Sequence, residues 1–188
     1  MSVAMRSAAE AARTIADELA RRGISHAIGG ALALGVAGVP RGTRDVDVNV
    51  FVEGEALRGV VDALRSVGVS LVEEDALAAA AADGLFVGTW DGMRIDVFAP
   101  SIPFSFEAER TTVLVEVDGW SGRFLSAESI AVFKLLFFRL KDRADLERLV
   151  AVRAERLDVA YVRRWIVAMM GEDDPRVAAW DEIVSHRP

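Results

Sequence analysis

The spacing of apolar and polar positions divides the chain into readable segments. Residues 5–22 repeat apolar positions at helical spacing, with Ala12, Ile15, Ala16 and Leu19 on one side and charges on the other. Ser25 to Ile28 reads as a short strand, and Gly29-Gly30 opens an Ala- and Leu-rich helix that closes near Gly38-Val39-Pro40. From Asp45 to Phe51 the pattern becomes strict alternation: Asp45, Asp47 and Asn49 face one way, Val46, Val48 and Val50 the other. Residues 54–67 return to helical spacing. Two hairpins follow. Leu85–Trp90 pairs with Met93–Phe98 around Asp91-Gly92, and Thr112–Val117 with Trp120–Leu125 around Asp118-Gly119. Ser126 is placed to cap a helix, the remainder reads as helices, and Asp174-Pro175 caps the last one. Ala78–Ala82 is the one low-complexity stretch and reads as a linker.

This order predicts an α+β domain, with a mixed, largely antiparallel sheet and flanking helices on one side. The expected division is an α/β core over residues 1–125 and a helical C-terminal region over residues 126–188, packed on that core or continuous with it.

Composition narrows the class. At 188 residues with 52% hydrophobic and 27% charged, the chain can bury a core without staples, and the composition argues against disorder. It has no cysteine, so disulfide scaffolds, thiolate metal sites and thiol catalysis are excluded. The stretch from Gly23 to Pro40 lacks formal charge, but its five glycines and His26 argue against a membrane span. The charged N-terminal segment is no signal peptide, and a cytoplasmic protein without membrane contact is expected. Acidic residues outnumber basic ones, 29 to 22. Against that deficit, residues 139–164 carry eight basic and five acidic side chains, either a solvated helical face or a lip for polyphosphate or nucleic acid. The cations are twenty Arg and only two Lys, Lys134 and Lys141.

The alternating strand carries the candidate chemistry. Asp45 and Asp47 project from one strand face about 7 Å apart, where they repel unless a cation stands between them, and hard oxygen donors suit Mg²⁺. A solvated edge strand would show the same pattern. Gly29-Gly30, between a strand and a helix, lets backbone N–H groups approach an anion, and it also fits an ordinary turn. Asp96, flanked by Ile95 and Val97, is a third acid on a second strand. Lys134 interrupts the apolar run from Ile130 to Phe138, where its ammonium must escape to water or meet an anion. Lys141 lies among charges and needs no explanation. His26 fits a half-buried strand position, and His186 lies near the C-terminus. Ser101, Ser105 and Ser121 have no histidine at a motif-like position, so Ser-His hydrolysis is unsupported. Trp90, Trp120, Trp165 and Trp180 read as packing residues.

Gly29-Gly30, the run Arg41-Gly42-Thr43-Arg44-Asp45-Val46-Asp47-Val48, and Ile95-Asp96-Val97 together resemble the nucleotidyltransferase superfamily with the polymerase-β-type fold. With Lys134, Lys141-Asp142 and Asp145-Leu146, the pattern is similar to the AbiEii-like abortive-infection toxin branch. The front half also resembles aminoglycoside 2″-nucleotidyltransferases. The resemblance implies transfer of a nucleoside monophosphate from NTP to a hydroxyl, with Mg²⁺ or Mn²⁺ and release of pyrophosphate. It assigns Asp45 and Asp47 to metal, Asp96 to a second metal and to the acceptor's proton, and Gly29 and Gly30 to the phosphates. Arg41, Thr43 and Arg44 join them at the nucleotide, and Lys134 reaches the β- or γ-phosphate. The implied acceptor is RNA, including tRNA, or protein, with a cognate antitoxin as partner in toxin-type relatives. A small-molecule acceptor of the aminoglycoside kind, which Glu73, Glu74, Glu107 or Glu109 would suit, and a catalytically silent nucleotide-binding module both remain open.

Overall fold

The computed structural model describes residues 7–186, which divide into two compact units. Residues 7–32 and 41–125 form the first, and residues 33–40 and 126–186 the second. The first two residues of the helix expected over 5–22, and the chain ends assigned to either region, lie outside the described residues.

The first unit opens with α1 (Ala8–Arg21). Ser7 accepts from the Glu10 amide, and the Glu10 carboxylate accepts from the Ser7 amide at 2.8 Å, so two orphan donors of the first turn are satisfied. The apolar stripe of α1, including Ala12, Ile15, Ala16 and Leu19, is buried. It packs on β1 (His26–Ile28), β2 (Asp45–Val50) and β6 (Trp120–Phe124). Between β1 and β2 lies α2 (Gly30–Val36). After β2 come α3 (Ala56–Ser66), α4 (Glu73–Asp83), β3 (Leu85–Trp90), β4 (Met93–Phe98), α5 (Phe104–Arg110) and β5 (Val113–Val117).

The sheet order is β3-β4-β2-β1-β6-β5. The β4–β2 and β1–β6 pairs are parallel, and the other three are antiparallel. Both expected hairpins form. Asp91 (φ 50°) and Gly92 (φ 79°) join one pair, Asp118 (φ 49°) and Gly119 (φ 74°) the other, each the two positive-φ residues of a type I′ turn. Val46, Val48, Ile95 and Val97 are fully buried on one sheet face, so the alternation of β2 and β4 commits the intervening acids to the opposite face.

Two helices escaped the sequence pattern. Ala78–Ala82 lies inside α4 and is no linker. Alanine favours helix, and Glu73, Glu74 and Asp75 sit in the first turn, where the helix dipole stabilises negative charge. Only Ala76 and Ala80 of α4 are buried, so no apolar stripe marks it. The two-turn α5 likewise lacks a visible period.

The second unit contains α6 (Ala127–Phe137), α7 (Leu140–Arg153), α8 (Val159–Met170) and α9 (Pro175–Ser185). Ser126 accepts from the Ser129 amide at 3.1 Å and Asp174 from the Arg176 amide at 2.9 Å, as their positions in the sequence predicted. Residues 33–40 join these helices. A Cβ at Gly38 would stand 2.8 Å from Val152 Cγ1, which shows how closely the backbone approaches α7. Among the described residues no helix is long and apolar enough to cross a membrane.

Candidate active site

The site is built on two strands that are distant in sequence. β2 and β4 pair in parallel with Asp45 opposite Arg94, Asp47 opposite Asp96 and Asn49 opposite Phe98. Residues paired across a sheet project to the same side, so Asp45, Asp47 and Asp96 share one face. The buried valines and isoleucine line the other. All three acids are half-buried.

The glycine pair closes onto this face. The Gly29 amide donates to the Asp47 carbonyl at 2.9 Å, which ties the turn after β1 to β2. A Cβ at Gly29 would stand 2.5 Å from Asn49 Nδ2. At Gly30 a Cβ would run into the Asp47 carboxylate, and φ is +53°. Space and backbone together therefore demand glycine there. The turn and the carboxylate are fitted to each other, and the same turn starts α2.

The remaining predicted residues divide. The Thr43 hydroxyl donates to the Asp45 carboxylate and orients it. Arg41 and Arg44 are exposed in the loop that leads into β2. Lys134 belongs to the second unit, where its side chain is 9% exposed and reaches Asp145 Oδ2 at 2.6 Å and Asp142 Oδ1 at 3.2 Å. Its ammonium therefore does not escape to water but meets the two carboxylates of α7. Arg139 adds a second cation to Asp142, with Nε at 2.6 Å. Burial pushes the Asp142 carboxyl up, but hydrogen bonds from Arg139 and Lys134 outweigh it and hold the group below the usual carboxylate range. Lys141 is exposed.

One residue of the acid face was not singled out from the sequence. Arg94 Nε donates to Asp96 Oδ1 at 2.7 Å, and Arg94 lies opposite Asp45. The available signal was its i, i+2 spacing from Asp96 in an alternating strand, which puts both on one face. Elsewhere, His26 is buried, Nδ1 bonds to the Ile24 carbonyl at 2.8 Å, and burial holds the imidazole below its usual pKa. That is a core histidine. Trp90 and Trp180 are buried, and Trp120 donates to Asp17 at 2.8 Å. In the basic stretch, Arg139 pairs with Asp142, Arg143 with Glu147 and Glu182, and Arg163 with Glu172 and Asp181.

Three carboxylates on one face are a hard-oxygen donor set that fits Mg²⁺ or Mn²⁺. Among the described residues no three acidic or imidazole groups are already gathered as a metal cage. Asp96 is engaged by Arg94, so ligation by Asp96 requires that guanidinium to yield.

No protein-family model matches the chain, and no curated protein matches its sequence. Its fold has solved counterparts. The solution structure of the antibiotic-resistance factor ANT(2″)-Ia is similar with a TM-score of 0.60 and 19% identity, over 93% of this chain and 95% of that one. The crystal structure of ANT(2″)-Ia in complex with adenylyl-2″-tobramycin gives 0.51 and 16%, over 92% and 94%. A nucleotidyltransferase-type structure from Thermotoga maritima gives 0.50 and 18%, over 73% and 89%. At these identities the likeness is one of fold.

Proposed function

On a chain with the nucleotidyltransferase fold, we propose that the acid face of β2 and β4 transfers a nucleoside monophosphate from NTP to a hydroxyl. The observation that carries this reading is the in-register pair Asp47–Asp96, with Asp45 on the same face and Gly30 left without room for a side chain by the Asp47 carboxylate.

In this reading Asp45, Asp47 and Asp96 hold Mg²⁺ or Mn²⁺, which when bound neutralises triphosphate charge and favours the departure of pyrophosphate. Thr43 fixes the Asp45 carboxylate. The backbone at Gly29-Gly30 and the start of α2 receive phosphate oxygens, with Arg41 and Arg44 supplying charge from the loop before β2. Asp96 takes the proton of the acceptor hydroxyl as its oxygen forms a bond to the α-phosphorus and the bond to the β-phosphate oxygen breaks. Lys134 has no place in the phosphate set of this reading, because Asp142 and Asp145 engage its ammonium.

A small polyhydroxylated acceptor is favoured over nucleic acid. Three of the eight cations in the basic stretch, Arg139, Arg143 and Arg163, pair with carboxylates of their own unit, and the net charge is −7. The adenylyl-2″-tobramycin bound in the ANT(2″)-Ia crystal structure is an example of such a product. The test is incubation with each α-labelled NTP and Mg²⁺, in turn with small aminated sugars, RNA and protein. Label is expected in the sugar fraction together with pyrophosphate, and chelation of the metal should abolish it. Label in RNA would overturn the acceptor assignment, and transfer of γ-label in place of α-label would overturn the reaction.

A further inference from the structure

The two edges of the sheet are treated differently. At the β3 edge, Ser70 forms a bridge with Thr89 through backbone bonds of 2.8 and 3.0 Å, and α4 packs on β3. At the other edge, no described strand pairs with the outer side of β5. β5 reads Val113-Leu114-Val115-Glu116-Val117, with no proline and no lysine to blunt it. Leu114 is 67% exposed, and Val113 and Val117 are 38% and 39% exposed. An unblunted apolar edge of this kind is a template for strand addition.

The hairpin fixes which backbone groups face outward. Val117 and Trp120 flank the type I′ turn and form its hydrogen-bonded closing pair, so by alternation Val113, Val115 and Val117 bond inward to β6. Leu114 and Glu116 therefore turn their N–H and C=O groups outward.

We propose that this edge pairs with the same edge of a second copy of the chain, antiparallel and centred on Val115. The sequence of the strand suits self-pairing. About that centre Val113 meets the partner's Val117, Val115 meets itself, and Leu114 and Glu116 exchange both backbone hydrogen bonds with their counterparts. Val113, Val115 and Val117 lie on the face of Phe124, Gly122 and Trp120. There Trp120 and Phe124 meet edge to face over Gly122, whose Cβ would run into the Trp120 ring. Pairing extends this apolar ribbon across the axis. On the other face Leu114 lies opposite Arg123, so the partner's Glu116 lands across Leu114, within reach of that guanidinium. The charges are complementary in both halves.

The test is sedimentation of the full chain over a concentration series, with amide hydrogen exchange. A species of twice the chain mass is expected, with Leu114 and Glu116 amides protected as it forms. Leu114→Pro removes only an outward N–H, so it should leave the far-UV spectrum unchanged and the chain monomeric. Glu116→Arg should weaken association at least tenfold, and adding Arg123→Glu should restore it. If Leu114→Pro misfolds, the charge pair carries the test alone. A wild-type chain that stays monomeric overturns the proposal. So does a dimer indifferent to both variants, or protection of the β5 amides that appears only with a different protein.

Discussion

Asp47 and Asp96 stand opposite each other on adjacent parallel strands, brought together from positions 49 residues apart. Neighbouring strands lie about 4.8 Å apart, so two carboxylates in this register repel unless a cation lies near. Arg94 supplies one to Asp96 in the structure. The face is thus arranged to gain from a divalent ion, and that gain underlies the proposed reaction.

The roles of the acids should separate in kinetics. A group that accepts the acceptor's proton acts in the transition state, so Asp96→Asn should lower kcat about 10²–10⁴-fold and leave nucleotide KM nearly unchanged. Asp47→Asn should raise nucleotide KM as well, whereas both variants should raise the concentration of metal needed. Steady-state assays against nucleotide and metal distinguish the two, and equal effects on KM would contradict the assignment.

Arg94 should behave as a resident counter-ion. Its side chain is 57% exposed, so the ion pair is worth only about 0.2–1 kcal/mol. Arg94→Gln should therefore tighten Mn²⁺ binding to the nucleotide-free protein by about two- to fivefold, read by calorimetry. Weaker binding would mean that the guanidinium supports the metal site.

Gly30 offers a test of the fit between turn and acid. Gly30→Ala meets both a positive φ and the Asp47 carboxylate, whereas Gly23→Ala meets a positive φ of 69° with nothing within 4 Å. Left-handed backbone costs about 1–2 kcal/mol for a non-glycine residue, so Gly23→Ala should lose that much in denaturant unfolding. Gly30→Ala should lose more and should also weaken nucleotide binding. Equal losses would show that only the backbone matters at Gly30.

Much of this face was legible in advance. The error-free alternation of Asp45 to Val50 marks which residues share a side, and two Asp-Gly turns place both hairpins. The parallel register of β2 on β4 was not legible, because α3, α4 and β3 intervene and periodicity carries no information about which distant strands meet. Arg94 needed no partner strand to be found, since its i, i+2 spacing from Asp96 in β4 already puts the two on one face. Lys134 was visible as an anomaly in an apolar helix. Its partners lie eight and eleven residues on, beyond a corner at Phe138 with φ +51°, and that corner has no glycine to announce it.

Lys134 should matter to folding. Removing one member of a buried ionic cluster strands the others, so Lys134→Met should cost about 3–5 kcal/mol of stability, with Lys141→Met near neutral. The linkage has a definite sign. Asp142 is held below its ordinary pKa in the folded chain, so its contribution is present in full above the ordinary carboxyl range. It is lost as pH falls through the depressed folded value. Denaturation at a series of acidic pH values should show this loss in the wild type and a smaller one in Lys134→Met, and parallel curves would contradict it.

The central claim, that Asp45, Asp47 and Asp96 form a metal-nucleotide site, can be tested without knowing the acceptor. Calorimetric titration of a non-hydrolysable NTP with Mg²⁺ into wild type and into Asp45→Asn/Asp47→Asn is the direct measurement. Metal-dependent binding should appear in the wild type and fall at least tenfold in the double variant, whose thermal stability without ligand should hold or rise as repulsion is removed. Equal affinity in the two proteins, or no binding of any NTP to the wild type, would contradict the account.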